Sequence, residues 1–210
     1  MSCVPIELIY SKSSVVIRDT IKAGSGSVAY FYFDFTDTRK QDSRALLSSL
    51  LVQLSNQSDQ FCDVLRGLYS EHQGGSQQPN NASLLRCLKA MLTIAGPGPV
   101  YLVMDALDEC PNNSGVPSPR EKVLELVEEL VELRLPHLRL CVTSRPEFDI
   151  CTVLEPLKPH QLSLDDESGQ KQDIIYYVTY VVRSDRSMKR WQDEEKDLVI
   201  QKLAEKAGGM

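Results

Sequence analysis

The sequence predicts an α/β protein, a parallel sheet covered by helices on both faces and followed by the start of an all-α helical subdomain. Three observations carry that expectation. Apolar runs of strand length recur at Ser27 to Phe35, Val100 to Met104 and Leu138 to Ser144. Helically periodic segments separate these runs, the alternation that builds βαβ units. Beyond about residue 165 strand-like runs cease, so the boundaries expected are an α/β core over 1–165 and a helical subdomain beginning at 166–210.

Taken in order, Ser27-Val28-Ala29-Tyr30-Phe31-Tyr32-Phe33-Asp34-Phe35 is aromatic and β-branched on both faces, the pattern of a buried parallel strand. Asp42 reads as a helix cap, with Ala45, Leu46, Leu50, Val52 and Leu54 at near-helical spacing behind it. A second helix is expected over Asp59 to Tyr69, then a polar loop from His72 to Asn81. A third helix covers Ser83 to Ile94 and stops at Gly96-Pro97-Gly98-Pro99. After the strand at Val100 to Met104, a loop rich in Pro, Asn and Ser spans Pro111 to Pro119. The next helix is strongly periodic, with Val123, Leu124, Leu126, Val127, Leu130, Val131 and Leu133 apolar against Glu121, Glu125, Glu128, Glu129 and Glu132. Leu138 to Ser144 reads as a buried strand ended by Arg145-Pro146. A short strand near Gln161 to Leu164 and helices over Asp173 to Val182 and Asp193 to Ala207 complete the chain.

Composition excludes several classes of function. The 210 residues carry 23 Lys and Arg against 29 Asp and Glu, a net charge of −6, which opposes a nucleic-acid surface. No apolar run approaches the ~20 residues that span a bilayer, so a membrane partner is not expected. Met1-Ser2-Cys3-Val4-Pro5-Ile6-Glu7-Leu8 has no basic region and carries Glu7 in its short apolar stretch, unlike a secretory signal. The six cysteines and three histidines are scattered, with no Cys-x-x-Cys, so neither a disulfide framework nor a zinc site is indicated. Reduced thiols and a cytoplasmic location are the expectation. Sequons such as those at Asn81 and Asn112 are then silent.

The chemistry concentrates in Val100-Tyr101-Leu102-Val103-Met104-Asp105-Ala106-Leu107-Asp108-Glu109. An acid at the carboxyl end of a buried parallel strand faces the crevice where α/β sheets bind ligands. Two more carboxylates follow at once. Such hard oxygen ligands suit Mg²⁺, which takes one or two carboxylates and completes its shell with water and phosphate. In P-loop NTPases this is the Walker B arrangement, one acid holding Mg²⁺ and a nearby acid orienting the attacking water. Leu138-Arg139-Leu140-Cys141-Val142-Thr143-Ser144-Arg145-Pro146 then puts polar Thr143 and a guanidinium at the end of a neighbouring strand. That cation either forks onto phosphate oxygens or pairs with a surface carboxylate such as Glu147 or Asp149. No histidine lies near the acids, which disfavours a carboxylate-rich metal hydrolase.

Tyr30 to Phe35, Asp42 to Leu54, Met104-Asp105-Ala106-Leu107-Asp108-Glu109-Cys110 and Val142-Thr143-Ser144-Arg145-Pro146-Glu147 together resemble a fungal NACHT domain. More narrowly, they resemble the nephrocystin-3-like N-terminal segment of large NOD-like fungal proteins, often ankyrin-bearing, from about Ser13 to the end of the chain. The resemblance implies a P-loop NTPase-like sheet and a STAND-type ATPase or GTPase that switches on nucleotide and oligomerises. By motif, it implies Asp105 as the Mg²⁺ ligand, Asp108 and Glu109 as the acids that position water, Arg145 as the sensor arginine and Thr143 as a nucleotide contact. ATP or GTP with Mg²⁺ are the cofactors implied, and protein partners or self-association the assembly implied.

One family motif is missing. No Gly-Lys pair occurs anywhere, so the phosphate loop Gly-x-x-x-x-Gly-Lys-[Ser/Thr] is degenerate or lost. Gly24-Ser25-Gly26-Ser27 precedes a strand rather than a helix and reads as a turn. Two alignments remain for Ser11-Lys12-Ser13, which follows a possible short strand at Ile6 to Tyr10. In one, Lys12 and Ser13 close the phosphate loop. In the other, Ser13 to Asp19 matches the helix after the motif, and the loop and first strand are absent. The short distance from Lys12 to the aromatic strand favours the second. Phosphoryl transfer depends on positioning, so the expectation is at most weak nucleoside triphosphate hydrolysis. The alternative is a non-enzymatic scaffold that keeps the fold and joins larger assemblies through helical faces.

Overall fold

Parallel pairing runs through one five-stranded sheet in the order β2-β3-β4-β1-β5, from β1 (Ile6–Ile9) and β2 (Ser27–Tyr32) to β3 (Val100–Asp105), β4 (Leu138–Val142) and β5 (His160–Leu162). The structure is a computed structural model that describes residues 6–9, 26–94, 96, 98–113, 115–157, 160–162 and 168–207. The class is α/β with a P-loop NTPase-like parallel sheet. The first strand, expected from the sequence to be degenerate or missing, is present, which corrects that expectation: Leu8 pairs with Val142 of β4 and with Gln161 of β5. Because the pairing is parallel, the chain leaves β1, β3 and β4 at one rim. Lys12 and Ser13 lie outside the described residues.

Among the described residues, five helices belong to this unit: α1 (Ser43–Ser55), α2 (Asp59–Glu71), α3 (Asn81–Ile94), α4 (Pro119–Glu132) and α5 (Phe148–Leu154). Asp42 caps α1 as expected, its carboxylate accepting from the Ala45 amide at 2.8 Å. Ser118 and Glu121 form a reciprocal capping box on α4, with Pro119 in the first turn. The main core joins alternate strand residues (Phe31 and Phe33 of the β2 segment, Leu102 and Met104 of β3, Leu140 and Val142 of β4) to the apolar stripes of all five helices. The intervening residues Val28, Val103 and Cys141 form a smaller cluster on the opposite face with Tyr30, Tyr32 and Tyr101, which are only half-buried. That tyrosine face makes β2 less buried than its sequence suggests.

The sheet's β2 edge is closed by two glutamines, one in α1 and one just after it. Gln53 accepts from the Tyr30 amide at 3.0 Å and donates to the Tyr30 carbonyl at 2.7 Å. The Gln57 amide does the same for Val28, at 2.9 and 2.6 Å, just beyond the helix. A primary amide carries one acceptor and two donors, so each mimics one residue of a neighbouring strand. At the start of β2, Gly26 is required: a Cβ there would sit 2.3 Å from the Pro99 carbonyl oxygen, which accepts from the Ser27 amide at 2.9 Å.

The chain divides into two compact units, 1–162 and 163–210. In the second, α6 (Ser168–Ser184) and α7 (Asp193–Ala207) flank a short 3₁₀ turn, Ser187–Arg190. Arg183 of α6 pairs with Asp197 of α7 at 3.0 Å. Among the described residues no helix is long and apolar enough to cross a membrane.

Replacing Gln53 with alanine leaves the Tyr30 amide and carbonyl without protein partners. An expected loss of about 1–3 kcal/mol in urea unfolding of the full chain checks the role of that side chain; an unchanged midpoint contradicts it.

Candidate functional site

The rim is built where β3 and β4 end side by side, with Met104 opposite Val142. Thr143, the first residue past β4, is 4% exposed and joined on every polar atom to β3 or the turn that follows it. Its amide donates to the Met104 carbonyl and its carbonyl accepts from the Leu107 amide, both at 2.9 Å. Its hydroxyl accepts from the Ala106 amide at 2.9 Å and donates to Asp105 Oδ1 in a short hydrogen bond. Asp105 is thereby fixed by one carboxylate oxygen, while Oδ2 makes no hydrogen bond with a described residue.

Between Asp105 and the next acids the chain turns sharply. Ala106 takes the left-handed conformation (φ 56°, ψ 49°) and opens a 3₁₀ turn, Leu107–Glu109, anchored by fully buried Leu107. A non-glycine residue there costs about 1–2 kcal/mol, offset by the bonds from Thr143. The turn aims Asp108 and Glu109 in different directions. Asp108 accepts from the Arg145 amide at 3.1 Å through Oδ1, and its Oδ2 lies 3.5 Å from Arg145 Nε. Its side chain is 9% exposed, whereas that of Arg145 is 83% exposed. Glu109 Oε2 accepts from the Phe35 amide at 3.3 Å, and Oε1 has no bond to a described residue.

A cleft of about 550 Å³ opens at this rim, lined by Phe35, Gln41, Asp108, Glu109, Arg120, Arg145 and Glu147 among others. Asp105 and Thr143 do not line it. The structure thus brings Asp105 and Thr143 into direct contact, and Asp108 and Arg145 likewise, with Glu109 on the same turn. Arg145 does not pair with Glu147 or Asp149: those carboxylates are taken by Arg120. Arg120, absent from the sequence-level candidates, is 5% exposed and donates to the Cys110 carbonyl at 2.8 Å and the Asp108 carbonyl at 2.5 Å. Burial opposes its charge, but the Glu147 hydrogen bond and the nearby Asp149 carboxylate more than offset this and hold its pKa above the ordinary arginine value.

Among the described residues no group of three His, Cys, Asp or Glu side chains is placed to hold a metal ion. A closed protein cage is therefore absent there, while a single strand-end carboxylate with one open oxygen fits the sparse protein ligation of Mg²⁺. Cys62, Cys87, Cys110 and Cys151 are free thiols. Burial pushes Cys110 up to about 12 and Cys87 up to about 11, so both stay protonated and unreactive at neutral pH.

Fold and rim together define an α/β protein of the P-loop NTPase-like class. The family model described as "Nephrocystin 3, N-terminal" matches residues 11–145, more than half of the chain, and the chain belongs to that family. No curated protein matches the sequence. Among solved structures, a chain from "Structure of Drosophila ORC bound to DNA" is similar over 76% of this chain and 78% of its own, at 11% identity and a TM-score of 0.41.

Two outcomes follow from these side chains. Ala106→Gly relieves the left-handed strain, partly offset by the greater freedom of the unfolded glycine. Urea unfolding is expected to show a gain of up to about 1 kcal/mol. Cys110 has a folded pKa of about 12 against an ordinary 9.0, so the folded state holds its proton more tightly than the unfolded state. Its contribution is complete below pH 9 and is lost as pH rises towards 12. Stability is expected to fall over that window in the wild type and to fall less in Cys110→Ala.

Proposed function

We propose that the chain is a nucleotide-binding switch domain of the NACHT/STAND type found in fungal NOD-like proteins, taking ATP or GTP with Mg²⁺ and hydrolysing it weakly or not at all. The observation that carries this reading is that Asp105, Asp108, Glu109, Thr143 and Arg145 all lie at the shared ends of β3 and β4. Parallel α/β sheets take their ligands at the carboxyl ends of strands. Family membership supports the same reading. So does the division near residue 162, which fits a nucleotide-binding core over 1–165 with a helical subdomain beginning at 166.

In this reading Asp105 is the Mg²⁺ ligand, oriented by the Thr143 hydroxyl, and the ion supplies charge neutralisation at the phosphates. Asp108 is engaged by Arg145, so Glu109, with one unengaged oxygen, is the better placed of the two acids to orient a water. The Arg145 guanidinium, held among the described residues only by a 3.5 Å contact, can move onto an incoming anion. The cleft lining carries three carboxylates, Asp108, Glu109 and Glu147, against the cations of Arg120 and Arg145. A bare triphosphate is therefore repelled, and binding needs the divalent ion or further cations such as Lys12 with Ser13. Without a Gly-Lys pair to fix the β-phosphate, positioning is poor and turnover slow.

A second reading, a scaffold that joins other proteins or its own copies, is favoured by the aromatic surface of α6, where Tyr176, Tyr177 and Tyr180 are 68%, 70% and 72% exposed. A cytoplasmic setting, with neither nucleic acid nor membrane as partner, fits both readings and the net charge of −6.

Calorimetric titration of Mg-ATP and Mg-GTP into the full chain and Asp105→Ala tests the first reading. The variant is expected to bind at least about tenfold more weakly, as for residues that hold or orient a metal. Equal affinity in the two chains, or no binding by either, sinks the nucleotide switch. Assembly that light scattering finds independent of nucleotide favours the scaffold.

A further inference from the structure

We propose that Arg120 is a positioning residue that clamps the loop after β3 to the segment after β4 and so fixes Asp108 against Arg145. Its reach is unusual for one side chain. Nε and Nη2 donate to the carbonyls of Cys110 and Asp108 on the β3 side, at 2.8 and 2.5 Å. Nη1 donates to the Glu147 carboxylate and to Asp149 Oδ2, at 3.2 Å for the latter, on the β4 side. The ring closes through Asn112, which donates to Asp149 at 2.8 Å and accepts from Ser118 at 2.9 Å. Ser118 caps the helix that carries Arg120, so the guanidinium projects from a fixed backbone.

Arg145 is bonded to both halves of this ring through its main chain. The Glu147 amide donates to the Arg145 carbonyl at 2.8 Å, and the Arg145 amide donates to Asp108. Asp108 is thus held from two sides, its carbonyl by Arg120 and its carboxylate by Arg145. A planar fork with donors on several edges can serve carbonyls and carboxylates at once, which a lysine ammonium cannot. A buried ion pair is in general weak evidence of stabilisation, since well-packed apolar side chains often do as well. Apolar packing cannot, however, bind two loops through their carbonyls and carboxylates. The segments joined are those that line the 550 Å³ cleft.

The consequence for ligand affinity rests on the nucleotide reading above, whereas the clamp itself does not, and the experiment separates the two. Hydrogen exchange is followed by mass spectrometry on the full-length wild type, Arg120→Lys and the milder Glu147→Gln. A clamp predicts exchange faster by about tenfold or more over 107–113 and 144–149, with the amides of β2, β3 and α1 unchanged. Uniform acceleration across the sheet means that Arg120 only stabilises the fold, and no change in either segment means that it holds nothing; either result overturns the clamp. If Arg120→Lys does not fold, Glu147→Gln carries the same test with a smaller effect in the same direction. Mg-ATP affinity is then measured for wild type, Arg120→Lys, Arg145→Ala and the double variant. A residue acting through Arg145 gives a double variant no weaker than Arg145→Ala alone, and additive losses overturn that coupling. Absence of nucleotide binding in the wild type removes the nucleotide reading and leaves the exchange result to decide the clamp.

Discussion

The rim depends on one register: β3 and β4 run parallel with Met104 opposite Val142, so both chains turn out of the sheet at the same level. Thr143 converts that register into side-chain geometry. It continues the main-chain ladder past the last paired residue, and its hydroxyl ties Asp105 to the amide of Ala106. Shift the pairing by one residue and Thr143 would point to the opposite face, since strand side chains alternate. Asp105 would lose its orienting partner and Ala106 the bond that offsets its left-handed backbone. A local strain and a polar rim are therefore consequences of an apolar ladder several residues away.

The same ladder explains why much of the fold was legible. Residues 100–104 form a continuous apolar run because Val100, Leu102 and Met104 enter the main core while Tyr101 and Val103 join the smaller cluster on the other face, and the run ends in an acid because the strand ends at the rim. Asp42 and Ser118 announce their helices through local chemistry that needs no tertiary knowledge. β1 was harder to see. Four residues with Glu7 among them carry too little pattern, and only the pairing with β4 and β5 makes them a strand.

At the site, the residues near one another in sequence were found and the long-range pairings were not. Glu147 and Asp149 are the carboxylates nearest Arg145 along the chain, yet the partner of Arg145 is Asp108, on another strand's loop. Arg120 sits between Pro119 and Glu121 at a helix start, where a cation reads as solvated. One signal was present: position 120 falls on the stripe continued by Val123, Leu124, Val127 and Leu130, all core residues. A charged residue in apolar phase calls for buried partners. Gln53 and Gln57 gave no comparable warning, because a glutamine on a helix flank is equally at home in water.

Those two amides shape how this molecule can meet others. The Val28 and Tyr30 main-chain groups that point away from the sheet are already satisfied from within. An extended peptide laid along that margin finds nothing there to zip onto, so recognition by strand addition is closed on that side. Whatever docks there must be selected through its side chains, by shape and charge, and that is a more discriminating handshake than one made between backbones.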